Sequence, residues 1–199
     1  MSDPRPVESP NAAGATPYAA ARMFAEQCLI RDDSLFTPGT AIWTVENVAD
    51  VYTRVAENEL EPGKGFWSVL SRRMSGADMP SAQLILELMY VHLLTHSNMT
   101  GTSKRDRLMI LARTLGLEVE IPIQLQEALN NGIAHPGQAQ TFIWRQVSFL
   151  VELAQRYKQT PEDERVSILS DPWQFKSFVM NTPARAAQTQ QHALLHLLF

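Results

Sequence analysis

Two histidine pairs carry the spacing best suited to metal chemistry on a helix. His92 and His96 are four residues apart, and so are His192 and His196. Residues at i and i+4 share a helical face, so each pair can offer two imidazoles to one zinc ion. Neither pair is an HExxH motif, because leucine or alanine follows the first histidine. The sequence favours partly buried histidines bonded to the backbone; a zinc site built from both pairs is the alternative and still needs further ligands.

The remaining candidates for catalysis are isolated residues. Glu87 is the only acid of the apolar run Ser81–Ser97, and we expect it to pair with an arginine or to lie on a wet edge. Cys28 is the only cysteine, which excludes an internal disulfide and predicts a small core residue. The tripeptide Gly-Lys-Gly at 63–65 lacks the first glycine and the Ser/Thr of a P-loop. The sequence therefore predicts no catalytic residue, no metal ligand and no cofactor within this chain.

Five basic residues near two predicted helix ends are candidates for phosphate contacts. Arg72 and Arg73 end one helix, and Lys104, Arg105 and Arg107 open another. If the two ends adjoin across the central helix, they form a patch that can bind a nucleic-acid backbone. The alternative is a solvated face, which a neighbouring aspartate and the net charge of -4 favour.

The element that must position these residues is the run Ser81–Ser97, SAQLILELMYVHLLTHS. Apolar residues occupy every face of this predicted helix, a pattern typical of a helix buried on most sides. Glu87, His92 and His96 interrupt the run, which argues against a membrane span. We expect the rest of the chain to pack around it.

Helical periodicity recurs along the chain between short Pro- and Gly-containing breaks. Thr44 is a predicted N-cap, Ser103 or Thr102 another, and Pro122 is expected to start a further helix. About nine or ten helices and no convincing sheet result, so the predicted fold is all-α. Residues 1–16 are interpreted as a disordered leader, and residues 17–199 as one helical domain. The four tryptophans fall within the apolar periodicity and are predicted core anchors: Trp43, Trp67, Trp144 and Trp173.

Composition narrows the class of protein. The chain has 199 residues, of which 45% are hydrophobic and 19% charged, an ordinary globular balance. The N-terminal residues MSDPRPVESP contain neither the basic flank nor the apolar core of a signal peptide. We therefore expect a cytoplasmic protein with no membrane association.

The C-terminal third carries the sequence features that bear most directly on family. The run RVSILSDPWQFKSFV at 165–179 and the run QQHALLHLLF at 190–199 resemble a region upstream of the ATPase module in McrB-type AAA+ proteins. These proteins are the motor subunits of modification-dependent restriction systems. Earlier segments share the resemblance: TPGTAIWTVENVADVYTRV, FWSVLSRRM, AQLILELMYVHLL and IPIQLQEALNNGIAHPGQ.

This resemblance implies a non-catalytic N-terminal module, with an AAA+ module expected to follow residue 199. The expected partners are that downstream AAA+ module and a partner nuclease subunit, and DNA is a possible ligand. In such a module, Arg72, Arg73, Lys104, Arg105 and Arg107 would position a phosphate backbone. The alternative is a protein-interaction or oligomerisation domain without nucleic-acid binding, which the acidic net charge and the apolar run 194–199 favour.

Overall fold

The structure is a computed structural model that describes residues 16–58, 61, 63–135, 140–183 and 187–199, without the side chains of 140 and 141. The all-α prediction is confirmed: the described residues form ten α-helices, and their only β-pairing is two isolated bridges. The predicted leader lies outside the described residues except for Thr16, which caps the first helix. The helices are α1 (Pro17–Met23), α2 (Val45–Val55), α3 (Phe66–Met74), α4 (Met79–Leu94), α5 (Gly101–Thr114), α6 (Ile123–Ala128), α7 (Gln140–Gln159), α8 (Glu162–Ser170), α9 (Pro172–Met180) and α10 (Gln188–Leu198).

Helix α4 is the centre of the fold, as its uniform apolarity predicts. Asp78 caps its start by accepting from the Ser81 amide at 2.9 Å, and Pro80 is accommodated in its first turn. Every residue from Ser81 to Leu94 is buried. Helices α2, α5 and α7 pack directly against it, while α1 packs against α6 and α10. One apolar core thus extends through all of these helices.

The starts of the helices show which of the predicted N-caps are correct. Thr44 caps α2 by accepting from the Asn47 amide at 3.3 Å, as predicted. The predicted cap at Ser103 or Thr102 is wrong, because Thr100 accepts from the Ser103 amide at 3.2 Å and α5 begins at Gly101. A Cβ at Gly101 would lie 2.1 Å from Asn130 Oδ1, so only glycine fits at this start.

Helix α1 continues without a break into a π-helical segment, Phe24–Ile30. Its C-terminal carbonyls are covered by a buried lysine, since Lys158 Nζ donates to the carbonyls of Cys28 at 2.6 Å and Leu29 at 2.8 Å. Lys158 also pairs with Asp32, and Arg165 lies 3.7 Å from the same carboxylate. Burial lowers the pKa of Lys158. This lysine joins α7 to the segment 28–32 through contacts that no periodicity in the sequence predicts.

The tryptophans divide into three environments. Trp43 and Trp144 are buried core anchors, as predicted, and Trp67 is half-buried. The prediction is wrong for Trp173, which is 75% exposed on α9. Helix α9 buries Phe175 and Val179 instead, so Trp173 falls on the opposite side, where Lys176 Nζ lies 5.3 Å from its ring centre.

Candidate functional site

The structure directs the five predicted basic residues to different places. Arg72 at the end of α3 forms an ion pair with Glu61. Its neighbour Arg73 donates to the Asn58 carbonyl at 3.2 Å, and its guanidinium lies 4.6 Å from the ring centre of Trp144. The two arginines of α3 are thus engaged with Asn58, Glu61 and the Trp144 ring of α7.

The first turn of α5 holds the next two basic residues against the end of α6. Lys104 is fully buried, and its Nζ donates to the Asn131 carbonyl at 3.4 Å. Burial lowers the pKa of Lys104 to about 8. Arg105 donates to the Gln126 carbonyl at 3.2 Å and to Asn130 Oδ1 at 3.1 Å. The hydrogen bonds of both side chains join the end of α6 and the loop after it to α5.

Arg107 alone of the five is directed into an open concave surface. Its guanidinium lies 5.7 Å from the ring centre of Trp67 on α3, a cation–π arrangement. The side chain is exposed, and no carboxylate of the described residues lies within ion-pair distance. Trp67 is near the start of α3, so this contact does not show that the Arg72–Arg73 end of α3 adjoins the start of α5, and the basic patch stays a prediction.

This concave surface, the α3–α5 groove, has a volume of about 420 Å³. Helix α3 contributes Trp67 and Ser71 to it. Helix α5 contributes one face of its length, comprising Ser103, Asp106, Arg107, Ile110, Leu111 and Thr114. Ile110 is 62% exposed, and the buried indole N–H of Trp67 has no hydrogen-bond partner among the described residues. An apolar floor with one cation and one anion at its edge is suited to binding, whereas it lacks the paired groups of a catalytic site.

Sequence reasoning missed most of this groove. The periodicity of α5 identifies its buried stripe, Leu108, Leu111 and Ala112, and leaves the opposite face as solvent-exposed helix. The available signal was Ile110, an apolar residue off that stripe and three positions after Arg107. Without knowing that α3 lies alongside, this signal cannot be separated from an ordinary exposed isoleucine.

A second polar cluster, the Glu87 hub, is buried and inaccessible to a ligand, unlike the groove. The carboxylate of Glu87 is fully buried in α4. It accepts from Ser34 Oγ at 2.5 Å, the Leu35 amide at 3.0 Å and the Phe36 amide at 3.2 Å. The expectation that Glu87 pairs with an arginine or lies on a wet edge is wrong.

Side chains complete the Glu87 hub. Trp43 Nε1 donates to the carboxylate at 2.7 Å, and Gln83 Nε2 donates to it at 3.0 Å. The Cys28 thiol lies 3.9 Å away, and burial raises the pKa of this thiol. These donors occupy both oxygens of the carboxyl group, so Glu87 is satisfied in the core by hydrogen bonds and not by an arginine or lysine among the described residues. The hub fastens the loop between the π-helical segment and α2 onto the central helix.

The first histidine pair is also buried in the core. His92 and His96 are buried, and their Nε2 atoms lie 3.1 Å apart. His92 Nδ1 lies 3.1 Å from Gln190 Oε1, which can only accept, so this nitrogen carries a proton. The bare Nε2 of a neutral His92 then accepts from His96 Nε2–H. Burial lowers the pKa of His92 to about 4 and lowers the pKa of His96 as well, aided by the positive charges of Lys104 and Arg107.

The loop after α6 packs tightly on this pair. His96 forms an isolated bridge with Ala134, and a Cβ at Gly132 would lie 1.9 Å from the His96 carbonyl oxygen. The expected hydrogen bonds to backbone are replaced here by a ring-to-ring bond and a bond to Gln190. The pair therefore joins α4, α10 and the 132–134 segment.

The second pair lies at the surface on α10, where His192 and His196 are both exposed. His196 Nε2 lies 3.0 Å from the Tyr18 hydroxyl, and the two rings meet edge to face at 5.6 Å. Among the described residues, no group of three or more His, Cys, Asp or Glu side chains is arranged to hold a metal ion. The arrangement thus offers no support for a zinc site that unites the two pairs.

The described part of the chain is an all-α domain with hydrogen-bonded polar clusters in its interior and an amphiphilic groove on its surface. None of its helices combines the length and the apolar character needed to cross a membrane. No protein-family model matches the chain. No curated protein and no solved structure shows a significant match to it either.

Proposed function

We propose that this chain is a non-catalytic recognition or coupling module of an McrB-like AAA+ NTPase, acting in the cytoplasm. Its contact surface is the α3–α5 groove. The supporting observation is that Arg107, which has no ion-pair partner among the described residues, lies beside Trp67 and the exposed Ile110. The buried carboxylate of Glu87, by contrast, accepts from five side-chain and backbone donors of the fold, which leaves no free hydrogen-bonding position for a ligand.

The resemblance offers two targets for such a surface, DNA or the downstream AAA+ module and its nuclease partner. DNA would require several cations free to contact phosphates. Lys104 is buried, Arg105 is bonded to the end of α6, and Arg72 is paired with Glu61. The geometry therefore supports protein contact more strongly than backbone contact to DNA.

The test is an amide NMR titration of the chain with each target in turn. The DNA arm uses duplex and single strands, methylated and unmethylated, at low salt; the protein arm uses the AAA+ module encoded downstream. We expect shifts at groove residues, and loss of binding in the variant Arg107→Gln/Ile110→Ser. The matched control is Arg113→Gln, which removes an exposed arginine from the same helix outside the groove. Shifts confined to other surfaces would contradict the assignment of the groove.

The second candidate function is a protein-interaction or oligomerisation domain that uses α9. Trp173, Lys176 and Met180 recur at i, i+3 and i+7, and Trp173 and Met180 are exposed large apolar residues. Exposed aromatic anchors are typical of interfaces. Light scattering of the wild type and of Trp173→Ala tests it: a concentration-dependent mass that the substitution abolishes supports this candidate, and a monomer at all concentrations contradicts self-association.

A further inference from the structure

We infer that the occupant of the α3–α5 groove is an amphipathic helix of a partner protein that carries a carboxylate beside its apolar anchors. This inference rests on the proposed role of the groove in recognition and names the chemistry of its ligand. Four properties of the groove lead to it: its length, the bonding of its backbone, its exposure to solvent and the charges at its edge.

The length of the groove matches a short helix. Its α5 side runs from Ser103 to Thr114. At a rise of about 1.5 Å per residue this face extends roughly 16 Å, or about three turns. A partner helix of similar length would place apolar side chains at i, i+3 or i+4 and i+7 along it. The volume of about 420 Å³ accommodates several such side chains.

The backbone of the groove disfavours an extended peptide. Both walls are α-helices, whose interior N–H and C=O groups are bonded within each helix. An extended segment binds by adding main-chain hydrogen bonds to a sheet edge, and two helical walls present no such edge. A helical ligand satisfies its own backbone and needs only side-chain contacts. The groove therefore favours a helix over a strand.

The groove is also poorly shaped for a small molecule. Five of its lining residues are exposed: Ser103, Asp106, Arg107, Ile110 and Thr114. A ligand resting here keeps one side in water, whereas small-molecule sites bury about 70–90% of their ligand. A helix tolerates this exposure because its outer face is polar.

The charges at the edge determine the ligand's polar group. The guanidinium of Arg107 is held near the face of Trp67 and has no ion-pair partner among the described residues. Its planar fork matches a carboxylate. Asp106 lines the same groove and would repel the continuous negative charge of a phosphodiester chain. A helix can set one carboxylate against Arg107 and turn uncharged side chains toward Asp106, which a continuous phosphodiester chain cannot do.

Selection from a displayed peptide library tests this inference. The probes are 14-residue helical peptides with apolar residues at i, i+4 and i+7 and a random flanking position. Selection on the wild-type chain should enrich Glu or Asp at the flanking position. The enriched peptides should bind Arg107→Gln roughly 10- to 100-fold more weakly, the range expected for losing a bond to a charged group. Arg113→Gln should bind them as the wild type does.

A charge reversal provides the decisive comparison. Selection on Arg107→Glu should enrich Lys or Arg at the flanking position in place of Glu. Enrichment with no preference for charge, or binding insensitive to Arg107 and Ile110, overturns the inference. Groove shifts caused by DNA but by no peptide also overturn it, while leaving the proposed recognition role standing. If DNA, the AAA+ module and the peptides all leave the groove unperturbed, the inference and the proposed function fail together.

Discussion

The Glu87 hub and the α3–α5 groove place a polar group beside apolar surface in opposite ways. In the hub, one carboxylate accepts from the donors of Ser34, Leu35, Phe36, Trp43 and Gln83. In the groove, the guanidinium of Arg107 rests near an aromatic face with no ion-pair partner among the described residues. The oxygens of Glu87 are occupied by donors of the fold, whereas the guanidinium of Arg107 is available to a ligand.

This contrast separates stability from function within one chain. A buried charge that is fully hydrogen-bonded contributes to a unique fold, and removing it leaves its donors unsatisfied. An exposed charge beside apolar surface contributes little to the fold, since water already solvates it. The two regions should therefore respond to substitution in opposite ways, with large losses of stability at the hub and small ones at the groove.

The largest expected effect is at the centre of the hub. The substitution Glu87→Ala removes the shared acceptor and strands several buried donors, so we expect the free energy of unfolding to fall by at least about 4 kcal/mol. Glu87→Gln keeps one acceptor oxygen and should lower it by about 2 kcal/mol. Urea denaturation followed by circular dichroism measures both, and Glu87→Gln supplies the result if the alanine variant does not accumulate folded.

The matched control for the hub is Glu118→Gln, the same chemical change at an exposed position. We expect its free energy of unfolding to stay within about 0.5 kcal/mol of the wild type. A loss at Glu87 no larger than the loss at Glu118 would show that the loop 31–43 is held to α4 by other contacts, and the contrast with the groove would disappear.

The buried histidine pair, His92 and His96, should make the free energy of unfolding depend on pH. Both rings are neutral in the fold, because burial lowers the pKa of His92 from 6.5 to about 4 and lowers that of His96. The unfolded chain takes up protons first as the pH falls. Their contribution to stability is therefore complete above pH 6.5 and is lost as the pH falls toward 4, by up to about 1.4 kcal/mol per pH unit for each ring.

Urea denaturation at pH 7, 6 and 5 measures this loss. The variant His92→Asn/His96→Gln keeps polar side chains that do not titrate, so its stability should depend less on pH by roughly 3–4 kcal/mol across this range. The exposed His192 supplies the control, His192→Gln, which should retain the wild-type dependence. Parallel curves for the wild type and the double variant would refute the buried neutral pair.

The sequence predicted the parts of the molecule that depend on local periodicity and capping. The buried helix at 79–94 follows from apolar residues on every face, and the N-cap at Thr44 follows from its hydroxyl and position. The sequence offered only a basic patch that would form if the end of α3 and the start of α5 adjoin, and it did not predict the groove. Its depth depends on the relative placement of α3 and α5, which tertiary packing determines.

The hub was not predictable for a related reason. Its donors at Ser34, Leu35 and Phe36 lie 51 to 53 residues from Glu87, in a loop with no periodic pattern. Two of them are backbone amides, which leave no trace in residue types. The prediction for Trp173 was wrong in the opposite sense, because an aromatic residue in an apolar helix is usually buried. Helix α9 packs through Phe175 and Val179, and this packing turns Trp173 outward.

The smallest expected effect is at the groove, and it is the most direct test of the contrast. Arg107→Gln and Ile110→Ser should each change the free energy of unfolding by no more than about 0.5 kcal/mol, because both side chains are exposed and neither fills the core. The same urea titrations measure this, beside Arg113→Gln. A loss above about 1.5 kcal/mol for Arg107→Gln would mean that its contact with Trp67 holds α3 to α5, since an exposed cation–π pair contributes only about 0.5–1 kcal/mol. Arg107 would then belong with Glu87 among the residues that build the fold, and the groove would lose the unpaired charge on which its proposed role depends.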